Sequence, residues 1–132
     1  MTGLLLTILV AADVARCESG VRFDDGAVVL EVARGRARDS GRSLLSVLVE
    51  RHQFALGCPV TPREWRVRHF VTGVRAVLGI ADAPAWASEA RFYCGPADRA
   101  DRCHERRKGR VGAIVHTFFR GYVGGPPDDP EN

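Results

Sequence analysis

Glu18 is the first residue to consider as a reagent. It follows an apolar run beginning at Leu4 and directly precedes Ser19-Gly20. Leu4, Leu5, Ile8, Leu9, Ala12 and Ala15 recur at helical spacing. That spacing predicts a buried first helix over Gly3–Cys17, with Gly20 as its stop. A carboxyl there is anchored by a buried element. The negative end of the helix dipole and apolar neighbours both disfavour the carboxylate. A carboxyl that holds its proton is what glycosidic cleavage requires, because the leaving oxygen must receive one. A solvated Glu at a helix end is the plainer reading of the same residues. Hydrolysis of such a bond takes a second carboxylate. Asp24 and Asp25 read as caps of the next helix, which leaves Glu31, further along that helix, as the candidate.

The cysteines are the next reactive set: Cys17, Cys58, Cys94 and Cys103. They form no C-x-x-C, so zinc-ribbon and thioredoxin-like patterns are unsupported. Cys94 and Cys103 flank a polar loop containing Gly95-Pro96-Ala97-Asp98, and a bond between them would close it. Cys17 can then pair with Cys58, but spacing alone does not choose the connectivity. Free buried thiols are one alternative. A small metal-binding domain using Cys94, Cys103 and His104 is another, although the spacing matches no common zinc pattern. No metal and no organic cofactor is expected. The even cysteine count favours an oxidising compartment.

These residues need elements to position them. Asp24 or Asp25 should open a second helix over Gly26–Ala37, apolar around most of its circumference and so central. Asp39-Ser40-Gly41 is a loop, and a third helix runs from Ser43 to Arg51 with Leu44, Leu45, Leu48 and Val49 inward. Thr61-Pro62-Arg63-Glu64 has the form of a capping box with Pro62 at the first helical position. It starts a fourth helix with Val67, Phe70, Val71, Val74 and Leu78 inward and Gly79 near its end. Ala90–Cys94 and Ala113–Phe119 are aromatic and β-branched, and predict an antiparallel pair. The expected fold is α+β, predominantly helical, with a small antiparallel sheet in the C-terminal third. Residues 1–123 should form one catalytic domain, and 124–132 a disordered tail.

With 132 residues, 45% of them hydrophobic, the chain can bury a core. Its net charge of +3 is modest, and no helix-turn-helix or RNA-binding motif is visible, so no nucleic-acid partner is expected. The basic segment Arg99–Arg110 reads as a solvated loop that can also attract a polyanion such as a bacterial cell wall. The Leu4–Ala12 run is too short to span a membrane and lacks the basic flank of a secretory signal. A monomer is expected. It would act outside the cytoplasm, or as a phage lysin that reaches the wall during lysis.

Ala15-Arg16-Cys17-Glu18-Ser19-Gly20 resembles the Glu-Ser-Gly segment of lytic transglycosylases. The order of Glu18, the Ala27–Arg36 helix, Gln53-Phe54, Phe92-Tyr93 and His116-Thr117-Phe118-Phe119 resembles the SleB-like cell-wall hydrolases. The resemblance spans roughly Leu5 to Phe119. It implies a lysozyme-like fold, peptidoglycan glycan strands as partner, and Glu18 as catalytic acid/base at the MurNAc–GlcNAc β-1,4 bond. It also marks Gln53, Phe54, Tyr93 and His116 as substrate-binding candidates. Gln53 suits a sugar N-acetyl group, Tyr93 can contact the glycan with its hydroxyl, and His116 can orient Glu18. Each also has a plain structural reading, Phe54 above all as core. Gly35-Arg36 stands where the family has Asn-Arg, and Arg36 would pair internally with Glu31 or Asp39. One Glu suffices in that scheme, which favours anhydro-ring formation over hydrolysis. A non-catalytic wall-binding module on the same scaffold is the rival.

Overall fold

A computed structural model of the chain describes residues 2–51, 53–59, 62–95 and 102–124. In chain order it has α1 (Thr2–Ser19), α2 (Phe23–Ser40), α3 (Leu44–Leu48) and α4 (Arg63–Leu78), then β1 (Phe92–Cys94), β2 (Arg107–Ala113) and β3 (Thr117–Tyr122). Short 3-10 turns occupy Ala85–Glu89 and His104–Arg106. The strands form one antiparallel sheet ordered β1-β3-β2. The α+β class expected from the sequence is therefore the one found. The capping Thr61 and the tail beyond Gly124 lie outside the described residues.

Helix α2 is the centre of the core. Val28, Val29, Leu30, Val32 and Ala33 are all fully buried, because α1, α3, α4 and the Ala85–Glu89 turn cover the helix on different sides. It starts earlier than the sequence suggested, with Arg22 at the cap and Asp24 and Asp25 in the first turn. Asp24 still pairs with Arg22, but Asp25 is fully buried and bonds across the molecule instead of capping. Helix α3 is shorter than expected. Ser43 caps it by accepting from the Ser46 amide at 3.1 Å, and Val49 is exposed just past its end.

Helices α1 and α4 depart furthest from expectation. In α4 the residues that face inward are His69, Gly73 and Ala76, whereas Val67, Phe70, Val71 and Leu78 are exposed. The cause is close backbone approach. A Cβ on Gly73 would stand 2.9 Å from the Ile8 carbonyl oxygen and 3.0 Å from the Ala12 nitrogen. Only the small-residue face of α4 fits there, so its bulkier apolar face turns out. Helix α1 is likewise half-covered: Ala11, Val14 and Ala15 are buried, while Leu4, Leu5, Leu6 and Leu9 meet solvent. Pro62 occupies the cap of α4, not its first helical position. No helix among the described residues is long and apolar enough to cross a membrane.

The sheet also corrects the sequence reading. Phe92-Tyr93-Cys94 pairs antiparallel with Phe119-Phe118-Thr117, as expected. The basic segment is not all solvated loop, because Arg107–Ala113 forms the edge strand β2. The stretch Ala113–Phe119 is not one strand either. Residues 114–116 turn between β2 and β3, so His116 sits in the turn. The reason is Asp25, whose Oδ1 accepts both the Val115 and His116 amides at 2.9 Å. Those amides are drawn to α2 and lost to the ladder.

Candidate active site

Glu18 is the penultimate residue of α1. Gly20 follows at φ +56°, a left-handed conformation that ends the helix and suits glycine. His69 on α4 fixes this turn, with Nε2–H donating to the Gly20 carbonyl at 2.6 Å. Burial holds the His69 imidazole below its ordinary pKa, so it stays neutral.

Three groups converge on the Glu18 carboxyl. The Ala55 amide donates to Oε1 at 2.7 Å. The Tyr93 hydroxyl hydrogen-bonds it, and burial, with Glu18's charge adding to it, pushes the Tyr93 phenol well above its ordinary pKa. Tyr93 therefore keeps its proton and donates. His116 Nε2 lies 3.7 Å from Oε2, just beyond hydrogen-bond length. The Tyr93 ring meets His116 edge-on at 5.0 Å.

Behind His116 stands Asp25, fully buried. Its carboxylate accepts from Ser19 Oγ at 2.7 Å, from His116 Nδ1 at 2.5 Å and from the two turn amides. Burial alone would raise its pKa, but the bonds from His116 and Ser19 outweigh burial and hold it below the ordinary carboxylate range. An ionised Asp25 fixes the Nδ1–H tautomer and aims the other ring nitrogen at Glu18. Glu18 is the most exposed of the three, with 15% of its side chain in solvent against 9% of His116 and none of Asp25.

The remaining candidates fall as follows. Gln53 Oε1 accepts from Arg36 Nη1 at 2.8 Å. Phe54 is buried at 8% exposure with its ring 6.2 Å from Tyr93, so it packs as core beside the site and is no open sugar platform. Glu31 pairs with Arg34 at 3.1 Å. Arg34 rests against Gly79 at the end of α4, which places Glu31 on a different side of α2 from Asp25. Arg36 pairs with neither Glu31 nor Asp39. Its Nε–H donates to the Arg91 carbonyl, while Asp39 pairs with Arg91. Gly35 accommodates the Arg91 guanidinium, which a Cβ there would strike.

All four cysteines are bonded, Cys17 to Cys58 and Cys94 to Cys103. The thiolates that a Cys94/Cys103/His104 metal site would need are thereby consumed. The Cys17–Cys58 bond matters for Glu18. It clamps the end of α1 to the segment that carries Ala55, alongside Arg16 bonded to the Pro59 carbonyl and Asp13 to the Gly57 amide. Replacing both cysteines with serine is expected to cost about 4 kcal/mol of stability by loop-closure entropy. Thermal melting of the double variant checks this. The Ala55 donor should also lose its register with Oε1.

The residues that sequence reading passed over are Asp25, Ser19 and the Ala55 amide. Comparison with family models, curated proteins and solved structures gave no match to this chain.

Proposed function

We propose that this chain cleaves peptidoglycan glycan strands at the MurNAc–GlcNAc β-1,4 bond, with Glu18 as acid and then base. The observation that carries the reading is the Glu18 carboxyl itself. It is part-exposed, fixed at the end of a half-covered helix, and gripped by the Ala55 amide and the Tyr93 hydroxyl, with a His116–Asp25 pair behind it. In this reading Oε2 carries the proton that passes to the leaving oxygen as the glycosidic bond breaks. The resulting carboxylate then takes the proton of the muramic acid 6-hydroxyl as that oxygen closes on the anomeric carbon. His116 and Asp25 touch no sugar. They position Glu18 and receive its charge change.

Hydrolysis needs a second carboxylate on the opposite side of the sugar. Asp25 is sealed behind His116, and Glu31 is engaged by Arg34 on another side of α2. That arrangement favours the anhydro route over hydrolysis. The two disulfides fit action outside the cytoplasm. Digestion of purified peptidoglycan, read by mass spectrometry, should give muropeptides lighter than hydrolysed ones by one water. Hydrated products would move the reading to a lysozyme-type hydrolase. Absence of any product would remove it in favour of a wall-binding module.

A further inference from the structure

Guanidinium groups alternate with aromatic rings in a row that runs from Phe54 to the sheet. Arg36 lies over Phe54 at 5.5 Å and over Phe92 at 4.9 Å. Arg107 lies over Phe92 at 5.5 Å and over Tyr122 at 4.6 Å. The row begins beside the site, since Phe54 precedes the Ala55 amide that holds Glu18. It then crosses the sheet to the end of β2. Neither guanidinium has a carboxylate partner among the described residues. Arg36 spends its donors on the Arg91 carbonyl and Gln53, and Arg107 Nε is a buried donor with no hydrogen-bond partner among the described residues. Burial, and to a lesser degree the neighbouring Arg107 charge, holds Arg36 below its ordinary pKa.

Two like charges set close together with no ion pair between them leave room for an anion beside the Arg107 guanidinium, and a buried donor without a partner calls for an explanation. A guanidinium fork matches a carboxylate in shape and charge, and aromatic faces take the apolar faces of sugar rings. We infer that the sheet end of this row is an extended subsite for a glycan strand bearing carboxylates, with the Arg107 guanidinium receiving one carboxylate and Phe92 and Tyr122 supporting the sugar chain, while Arg36 and Phe54 hold the row in place. The inference rests on the glycan-cleaving reading above and adds to it what the substrate must carry.

The test uses Arg107→Gln and Arg107→Lys, with soluble glycan strands either native or with their carboxyls converted to neutral amides. Melting curves establish that both variants are folded. On native strands Arg107→Gln should raise KM about tenfold with kcat held, because a charge-assisted contact is lost. Arg107→Lys should fall between the two, keeping the charge but losing the fork. On amidated strands the wild type should already show the raised KM, and Arg107→Gln should add nothing. Equal loss on native and amidated strands, or no loss on either, overturns the subsite. A separate binding arm uses Glu18→Gln, with and without Arg107→Gln, sedimented with each kind of strand. Preference for native strands that depends on Arg107 supports the subsite even where no strand is cut, so the two readings fail separately. Tighter Arg107-dependent binding of a single-stranded RNA oligonucleotide than of native strands would overturn it in favour of a nucleic-acid surface.

Discussion

Glu18→Gln is expected to slow glycan cleavage about a thousandfold while leaving binding to the glycan intact. The substitution is nearly isosteric. The glutamine carbonyl can still accept from the Ala55 amide, as Oε1 does now at 2.7 Å, so the junction between α1 and that segment should hold. What the amide cannot do is release a proton to the leaving oxygen or take one back. Initial rates on peptidoglycan, together with sedimentation of protein with the insoluble wall, separate the two effects. A variant that still cuts at the wild-type rate would remove Glu18 from the chemistry. A wild type that binds without cutting would make Glu18 a structural residue of a wall-binding module.

The second large effect belongs to Asp25. Asp25→Ala should cost about 3–5 kcal/mol, because it strands the His116 ring, the Ser19 hydroxyl and two turn amides without their shared acceptor. Asp25→Asn is the more informative change. Its carbonyl can still serve the Val115 and His116 amides, so the turn should form. Its NH2 would donate to His116 Nδ1, forcing the opposite tautomer and turning an N–H towards Glu18. We expect a folded protein with reduced kcat and an altered pH–rate profile. An Asp25→Asn variant with the wild-type profile would show that the pair only holds the turn.

The pH dependence of stability follows from Asp25 and His69. Asp25 has a depressed pKa in the folded state, so its contribution is complete above the ordinary carboxylate range and is lost as pH falls through its folded value. His69 is also depressed when folded. It must take up a proton to charge, and the unfolded chain does so more readily, so stability begins to fall once pH drops below the ordinary imidazole range. Acid unfolding should therefore come in two stages, the imidazole first. In Asp25→Asn the second stage should shrink while the first remains. Denaturant melts across the acid range measure both.

The parts of the fold legible in the sequence were those governed by local chemistry. Gly20, Gly41 and Gly79 sit just past helix ends, and each has the positive φ that such an end asks for. The α2 core followed from its apolar circumference, and the β1–β3 pairing from aromatic content. The failures share one cause, contacts between residues far apart in the chain. Asp25 looked like a cap because nothing near it in sequence announces His116, 91 positions away. Val67, Phe70 and Val71 looked inward because hydrophobic periodicity reports which face is apolar. It does not report that a neighbouring backbone will come close enough to admit only Gly73 and Ala76. Among the proposed site residues, Glu18 had a local signature and its supporting groups had none.

The distance along the chain between Asp25 and His116 also sets an order of assembly. Helix α1 and its carboxyl leave the ribosome before Cys58, the partner of Cys17, which follows 41 positions later. The turn that supplies two amides and an imidazole to Asp25 is made about 90 positions after it, and closing so long a loop is slow. Until it docks, Asp25 has no reason to leave water and nothing backs Glu18. A chain that stops short of that turn therefore leaves Asp25 without its two amides and its imidazole. Under the proposed activity, that order would hold back cleavage until the turn has docked.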